Sequence, residues 1–434
     1  MGCGGAVQVA PTPPQDDPPM VSVVPTAEAE EPDKNVDIDE DEDGEDSDKF
    51  SIESGPAGPS YAELLYRRCG TPAEIFAEGE HEFCIFGETL PSIVEQEFEQ
   101  KKLLSSRDEG DPVALRENLA SLGVGLACRK AKKPGIPNQD NILFCRTREY
   151  TVCGVADGHG DFGHWASHWV ARFAMAFILA EVTSKKCLPN DAELMRMFNV
   201  VHEALKHVSQ YGIWSNEKEQ STGEGTFDLS LSGSTLSLFF VEHRTRKAVS
   251  AWVGDSRCVL FHAPAADAEA QQSSKLAVPE AGKKKGSDNL RVQSITADHN
   301  PRDIGERQRM FSMGGNIAGG RVQTGGGGKE TESGLTMTRA LGDLTLHSFG
   351  VIHKPGIRRL ELGSQAVEGP ACVLCCSDGV WEFLNNEEAA RYIGVGGPEA
   401  VDQATEELVA KARTLWLEQE EDETDDLSAV VVWL

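Results

Sequence analysis

The stretch DNILFCRTREYTVCGVADGHG, residues 140–160, decides the fold. Two apolar runs, NILFCRT and YTVCGVA, carry the β-branched and aromatic residues of strands, with charged residues between them. Asp140 stands just before the first run, and Asp157, Gly158, His159 and Gly160 follow the second. Working outward, HWASHWVARFAMAFILAEV and AELMRMFNVVHEALKHV space their apolar residues as helices do. GSTLSLFFVEH and KAVSAWVGDSRCVLFHA are two further strand-like runs, and GPACVLCCSDG and LSAVVVWL close the series. Strands outnumber what alternating βα units would give, and their hairpin-like pairs favour antiparallel pairing. The pattern predicts an α+β fold: two packed, mainly antiparallel sheets with helices outside.

The bulk numbers exclude several functions. The 434-residue chain is 39% hydrophobic, which suits a packed core, and its net charge is -29. A nucleic-acid binder should be basic, and an anionic membrane surface would repel this charge. FAMAFILA is too short to span a bilayer, and Pro11, Pro13, Pro14 and Pro18 interrupt any secretory signal. Eleven scattered cysteines read as reduced thiols of an intracellular, cytoplasmic protein, expected to act as a monomer. Gly2 and Cys3 offer a myristoyl and a palmitoyl site for peripheral membrane association. Ala6 departs from the Ser or Thr of that pattern, so an unmodified tail is the alternative.

Residues 1–55 contain DKNVDIDEDEDGEDSDK and read as a disordered acidic tail. Residues 56–119 read as a partly helical extension, with SIVEQEFEQKKLL its clearest helical piece. The main domain is assigned to 120–434, with a flexible insertion at about 263–290 that is rich in small and charged residues.

The carboxylates carry the chemistry. Asp140 and Asp157 flank the opening hairpin, Asp255 follows AVSAWVG, Asp378 follows ACVLCCS, and Asp425 precedes LSAVVVWL. One Asp beside a strand reads as a turn residue bonding local backbone. Five at strand ends are different, because packed sheets bring such ends to a common edge where the charges repel. Hard divalent cations answer that repulsion. Two ions roughly 4 Å apart ready a water and clamp a phosphoryl group. Asp157 suits a bridging position, Gly158 lets a backbone carbonyl approach, and His159 stands ready to protonate a leaving alkoxide.

These residues fall in eight ordered blocks: PNQDN (137–141), VADGHG (155–160), SGSTLSLFFV (232–241), WVGDSRCVLF (252–261), ITADHNP (295–301), MTRALGDLTLHSFGVIHKPGI (337–357), CSDGVWEFL (376–384) and DDLSAVVV (425–432). Over roughly 120–434 the chain resembles the metal-dependent, type 2C serine/threonine protein phosphatases, the PPM class. The resemblance implies a β-sandwich in α-β-β-α layers with two Mn²⁺ or Mg²⁺ ions at one end. Phosphoserine and phosphothreonine proteins are the implied substrates. It makes Asp157 the bridging ligand, Gly158 a carbonyl ligand, Asp378 and Asp425 carboxylate ligands, and Asp140 a ligand or a holder of metal-bound water. His159 is then the general acid of a direct attack on phosphorus, with Asp255 and Glu382 at a weaker third ion.

The chain departs from the family pattern in three places. Gln139 replaces a frequent Glu, Glu382 replaces the Asp of SDGxWD, and Gly135 stands where a phosphate-binding Arg is common. Arg129, Lys132 and Lys133 are the candidates to replace that Arg, and Asp426 is an alternative to Asp425 if the register slips by one. These departures keep open a second reading, a catalytically weak or inactive phosphoprotein-binding scaffold on the same fold. Other motifs read as structural. Cys372 and Cys375 lack a second pair for zinc, and TGGGGKET lacks phosphate-loop spacing. His164 and His168 lack the Glu of a zinc helix, and His243, His299 and His347 are taken as structural or exposed.

Overall fold

The computed structural model describes residues 59–89, 94–107, 111–185, 187–262, 290–323, 334–362, 370–420 and 423–434. Asp140–Arg146 and Tyr150–His159 form the expected hairpin, with Asp140 opposite Asp157. They lie inside a nine-stranded sheet. Its order is Gly356–Glu361, Lys247–Val253, Leu236–Glu242, Tyr150–His159, Asp140–Arg146, Phe83–Gly87 and Leu103–Ser105, with Gly233–Ser234 and Leu341–Gly342 attached off this path. A five-stranded sheet runs Arg291–Ser294, Arg257–His262, Ala371–Cys376, Leu427–Trp433 and Val124–Arg129. Neighbours in both sheets pair antiparallel.

Alternation along the strands builds four layers. Ile142 and Phe144 face the space between the sheets with Val155, Phe239, Leu260, Val373 and Val430. Leu143 and Cys145 point the other way, into a cluster with the helices Gly163–Phe177 and Asp191–Tyr211. On the smaller sheet Leu374 and Val431 face outward against Asn386–Gly394 and Val401–Gln419. Both faces of each sheet are covered, which is why the strands read as near-continuous apolar runs. The architecture is therefore an α+β, two-sheet antiparallel sandwich flanked by helices. Cys153, Cys258 and Cys375 meet inside it as free thiols, with Sγ–Sγ separations of 3.9 and 2.9 Å to Cys375.

Two expectations change. KAVSAWVGDSRCVLFHA is not one strand: Lys247–Val253 belongs to the larger sheet and Arg257–His262 to the smaller. The chain crosses between sheets at Gly254, whose φ of +95° favours glycine, and this puts Asp255 at the crossing. The described part of SIVEQEFEQKKLL is not helical either. Phe98 has φ 61°, Gln100 bridges to Arg129, and Lys101 is fully buried with its Nζ donating to the Asn138 carbonyl at 2.7 Å. Tertiary hydrogen bonds have overridden a helix-like spacing. Helices occupy Tyr61–Arg68, Pro72–Phe76 and Pro112–Ser121 instead. Phe83–Gly87 pairs with Asp140–Arg146 in the larger sheet. The acidic tail, Gly2 and Cys3, most of the 263–290 insertion and TGGGGKET lie outside the described residues.

Candidate metal centre

The strand ends of both sheets converge as the sequence implies. Asp157 is locked by its backbone: its N–H donates to Thr235 Oγ1 at 2.9 Å, and its carbonyl accepts from the Thr235 N–H at 2.8 Å. Thr235 Oγ1 also lies 2.7 Å from Ser256 Oγ, just beyond the sheet crossing. Ser377, ending the Ala371–Cys376 strand, donates its hydroxyl to Asp140 Oδ2 at 2.7 Å and so ties the two sheets together at the rim. Gly158 is required by packing, since a Cβ there would lie 2.0 Å from the Gly163 carbonyl oxygen.

The carboxylates act on one another. Burial, then the charges of Asp378, Asp140, Asp425 and Asp255, push Asp157 well above the usual carboxylate range. Burial and then Asp425 and Asp255 do the same to Asp378, which lies within hydrogen-bond reach of Asp157. Burial and Asp426 push Asp140 up to about 7, and burial and Asp298 push Asp255 up to about 6. Asp255 Oδ1 is buried with no hydrogen-bond donor. Carboxylate oxygens this crowded, one of them without a donor, fit hard divalent cations better than protons at neutral pH. Glu382 is exposed at the end of the short Asp378–Trp381 helix.

His159 is oriented by a residue to which the sequence reading assigned no role. Its Nε2 lies 2.7 Å from Asp343 Oδ2, and Asp343 is 1% exposed in a left-handed conformation with φ 50°. Burial pulls the imidazolium down, but the Asp343 charge and hydrogen bond outweigh it, and the net shift is upward. The only sequence signal was an Asp after a Gly in RALGDLTL, where no apolar run marks the two-residue strand Leu341–Gly342 that ends just before it.

The structure also sorts the neighbouring candidates. Lys133 Nζ sits 2.6 Å from Asp425 Oδ1, whereas Arg129 is engaged with Glu406 at 2.5 Å. Asp426 is buried, and both its oxygens accept backbone N–H groups, from Ala131 and Gln139. Gln139 donates its amide to the Gly160 carbonyl at 2.7 Å, which a carboxylate could not do.

Comparison with known proteins matches residues 180–414 to the protein phosphatase 2C family. The chain belongs to this family. Among protein phosphatase 2C relatives, the chain is 27% identical over 305 residues to the probable protein phosphatase 2C 61 of Arabidopsis thaliana, covering 68% of this chain and 80% of that one. To the probable protein phosphatase 2C 48 of Oryza sativa subsp. japonica it is 26% identical over 318 residues, covering 70% and 82%. The solved structure of a serine-threonine phosphatase 2C from Toxoplasma gondii shares the fold, with a TM-score of 0.51 at 16% identity over 71% of this chain and 94% of that one. Protein phosphatase 2C enzymes are metal-dependent protein phosphatases, and the acidic rim is the part of this member that suits such chemistry.

Proposed function

We propose that this phosphatase hydrolyses phosphoserine and phosphothreonine in proteins at the carboxylate rim. Asp157, Asp378, Asp425 and the Gly158 carbonyl would hold two Mn²⁺ or Mg²⁺ ions, with Asp140 as a further ligand or a holder of bound water. Asp255, with Glu382, would serve a weaker third ion. When bound, such a pair supplies Lewis acidity and a water of near-neutral pKa. The rest of the work falls to the chain. His159, whose charged form Asp343 favours, carries the proton for the leaving serine or threonine oxygen. Lys133, placed on Asp425, is the cation positioned to meet substrate phosphate where the family often uses Arg.

The observation carrying this reading is the contact between Asp157 and Asp378 within a set of five acidic side chains from both sheets. Two buried carboxylates within hydrogen-bond reach coexist only by sharing a proton or a cation. The full-length chain, stripped and resupplied with Mn²⁺ or Mg²⁺, should release phosphate from a phosphoserine or phosphothreonine peptide and should stop in excess EDTA. Equal turnover in EDTA would overturn the reading. Capture of phosphopeptide without turnover would favour the scaffold instead.

A further inference from the structure

Next to the Gly342–Asp343 segment lies a second cluster of titratable side chains. His202 comes from the helix Asp191–Tyr211, His347 ends the short helix Leu344–His347, and His353 follows six residues later. Their rings stack: centroids are 4.1 Å apart for His202 and His353, 4.8 Å for His202 and His347, and 5.4 Å for His347 and His353. One nitrogen from each lies within 4.8 Å of the other two, close enough for a single ion to recruit all three.

Hydrogen bonds fix the tautomers of two of these rings. His353 Nε2 faces Asn199 Oδ1 at 3.1 Å, so that nitrogen carries the proton and Nδ1 keeps its lone pair. His347 bonds to the Gly342 backbone, which leaves its Nε2 as the nitrogen without a partner. Both His347 Nε2 and His353 Nδ1 are buried with no hydrogen-bond donor. The third ring, His202, holds only a long bond, accepting from the Gly342 N–H at 3.3 Å. Two buried acceptors left unmet beside a weakly held third imidazole are the pattern of a ligand set rather than of core filler.

We propose that His202, His347 and His353 form a site for a borderline transition-metal ion of the Zn²⁺ class, separate from the carboxylate rim. Three neutral imidazoles suit Zn²⁺, Ni²⁺ or Cu²⁺ and do not suit Mg²⁺ or Mn²⁺, which prefer oxygen. Burial, then the neighbouring imidazoles, hold His202 down to about 2 and His353 down to about 4, so these ligands are neutral at physiological pH. Asn199 stands one helical turn before His202 and fixes the ring of His353, the outer-sphere support that histidine ligands usually have. Ligand atoms around a tetrahedral ion with bonds of about 2.0–2.1 Å lie roughly 3.3 Å apart, and each imidazole lone pair lies in its ring plane, so loading draws the three rings inward and turns them out of their stack.

The test uses the full chain, stripped of metal and then saturated with Mg²⁺ to occupy the oxygen site. Titration with Co²⁺ should give the intense visible bands of a four-coordinate nitrogen site in the wild type and in Asp157→Asn. The bands should vanish in His347→Gln and in His353→Gln. Asn199→Ala should keep them but bind about 10–100-fold more weakly. Zn²⁺ should raise the melting temperature of the wild type in excess Mg²⁺ and leave His353→Gln unmoved. Near-UV circular dichroism checks that each variant is folded, and Asn199→Ala keeps the test open should a histidine variant not fold. Absent bands in the wild type, or bands that survive both histidine substitutions, would overturn the proposal. Because none of these readouts is turnover, a silent phosphatase assay does not decide it.

Discussion

The carboxylate rim and the imidazole stack are both tied to the Gly342–Asp343 segment and solve the same problem with opposite signs. At the rim, burial and mutual repulsion drive the acids toward their protonated forms. In the stack, burial drives the bases toward their neutral forms. Both sets therefore shed charge when no ion is present. The rim calls for a hard cation to replace its protons, whereas the stack already has two lone pairs free and a third held by one long hydrogen bond. Ligand chemistry thus separates two sites that one backbone segment joins: Asp343 bonds His159, and Gly342 bonds His202.

The comparison can be broken most sharply at Asp157. Asp157→Asn should lower Mn²⁺-dependent phosphopeptide turnover on the order of 10³–10⁴-fold. Its metal-free form should melt higher, because the cost of crowding and burying that carboxyl group among other acids is gone. A lower melting point in EDTA would contradict the repulsion argument. Next comes the proton carrier: His159→Gln should cost about 10²-fold in kcat. Asp343→Asn should cost less and shift the alkaline fall of the pH–rate profile to lower pH, because the group that raises the His159 pKa is lost. An unshifted profile would mean that Asp343 only packs. Lys133→Met should raise KM for phosphopeptide about 10-fold with kcat nearly kept, and an unchanged KM would remove Lys133 from substrate binding.

The smallest effect is a tilt of stability with pH. In EDTA, acids with folded pKa values raised above about 4 stabilise most at low pH. That contribution is lost as pH rises toward about 7, the value for Asp140. The stack does the reverse: a His held near 4 against an ordinary 6.5 loses its contribution as pH falls through that interval. The two slopes oppose over the same interval, so Asp140→Asn should make the melting temperature climb more steeply with pH between about 4 and 7 and His353→Gln less steeply, each by about a few degrees.

Much of the rim was legible because acids beside strands leave a positional mark: Asp140, Asp157, Asp255, Asp378 and Asp425 each adjoin an apolar run. Asp343 carries no such mark, since its role depends on a left-handed turn that only the folded chain shows. The stack was equally hidden, because His202 and His347 are 145 positions apart and meet through helix packing. FCIFG was too short to be read as a strand beside the helix-like spacing that follows it. In that following stretch, the buried amine of Lys101 reaches the backbone of Asn138 and Asp140, a tertiary demand no local pattern announces.

The thiols between the sheets have a practical consequence. Among the described cysteines, Cys187 is exposed and the other nine are buried. A maleimide added to the folded chain should therefore label the described residues at Cys187 alone. Labelling at Cys153, Cys258 or Cys375 would time the moment the two β-layers part, an internal clock for unfolding that needs no engineered probe.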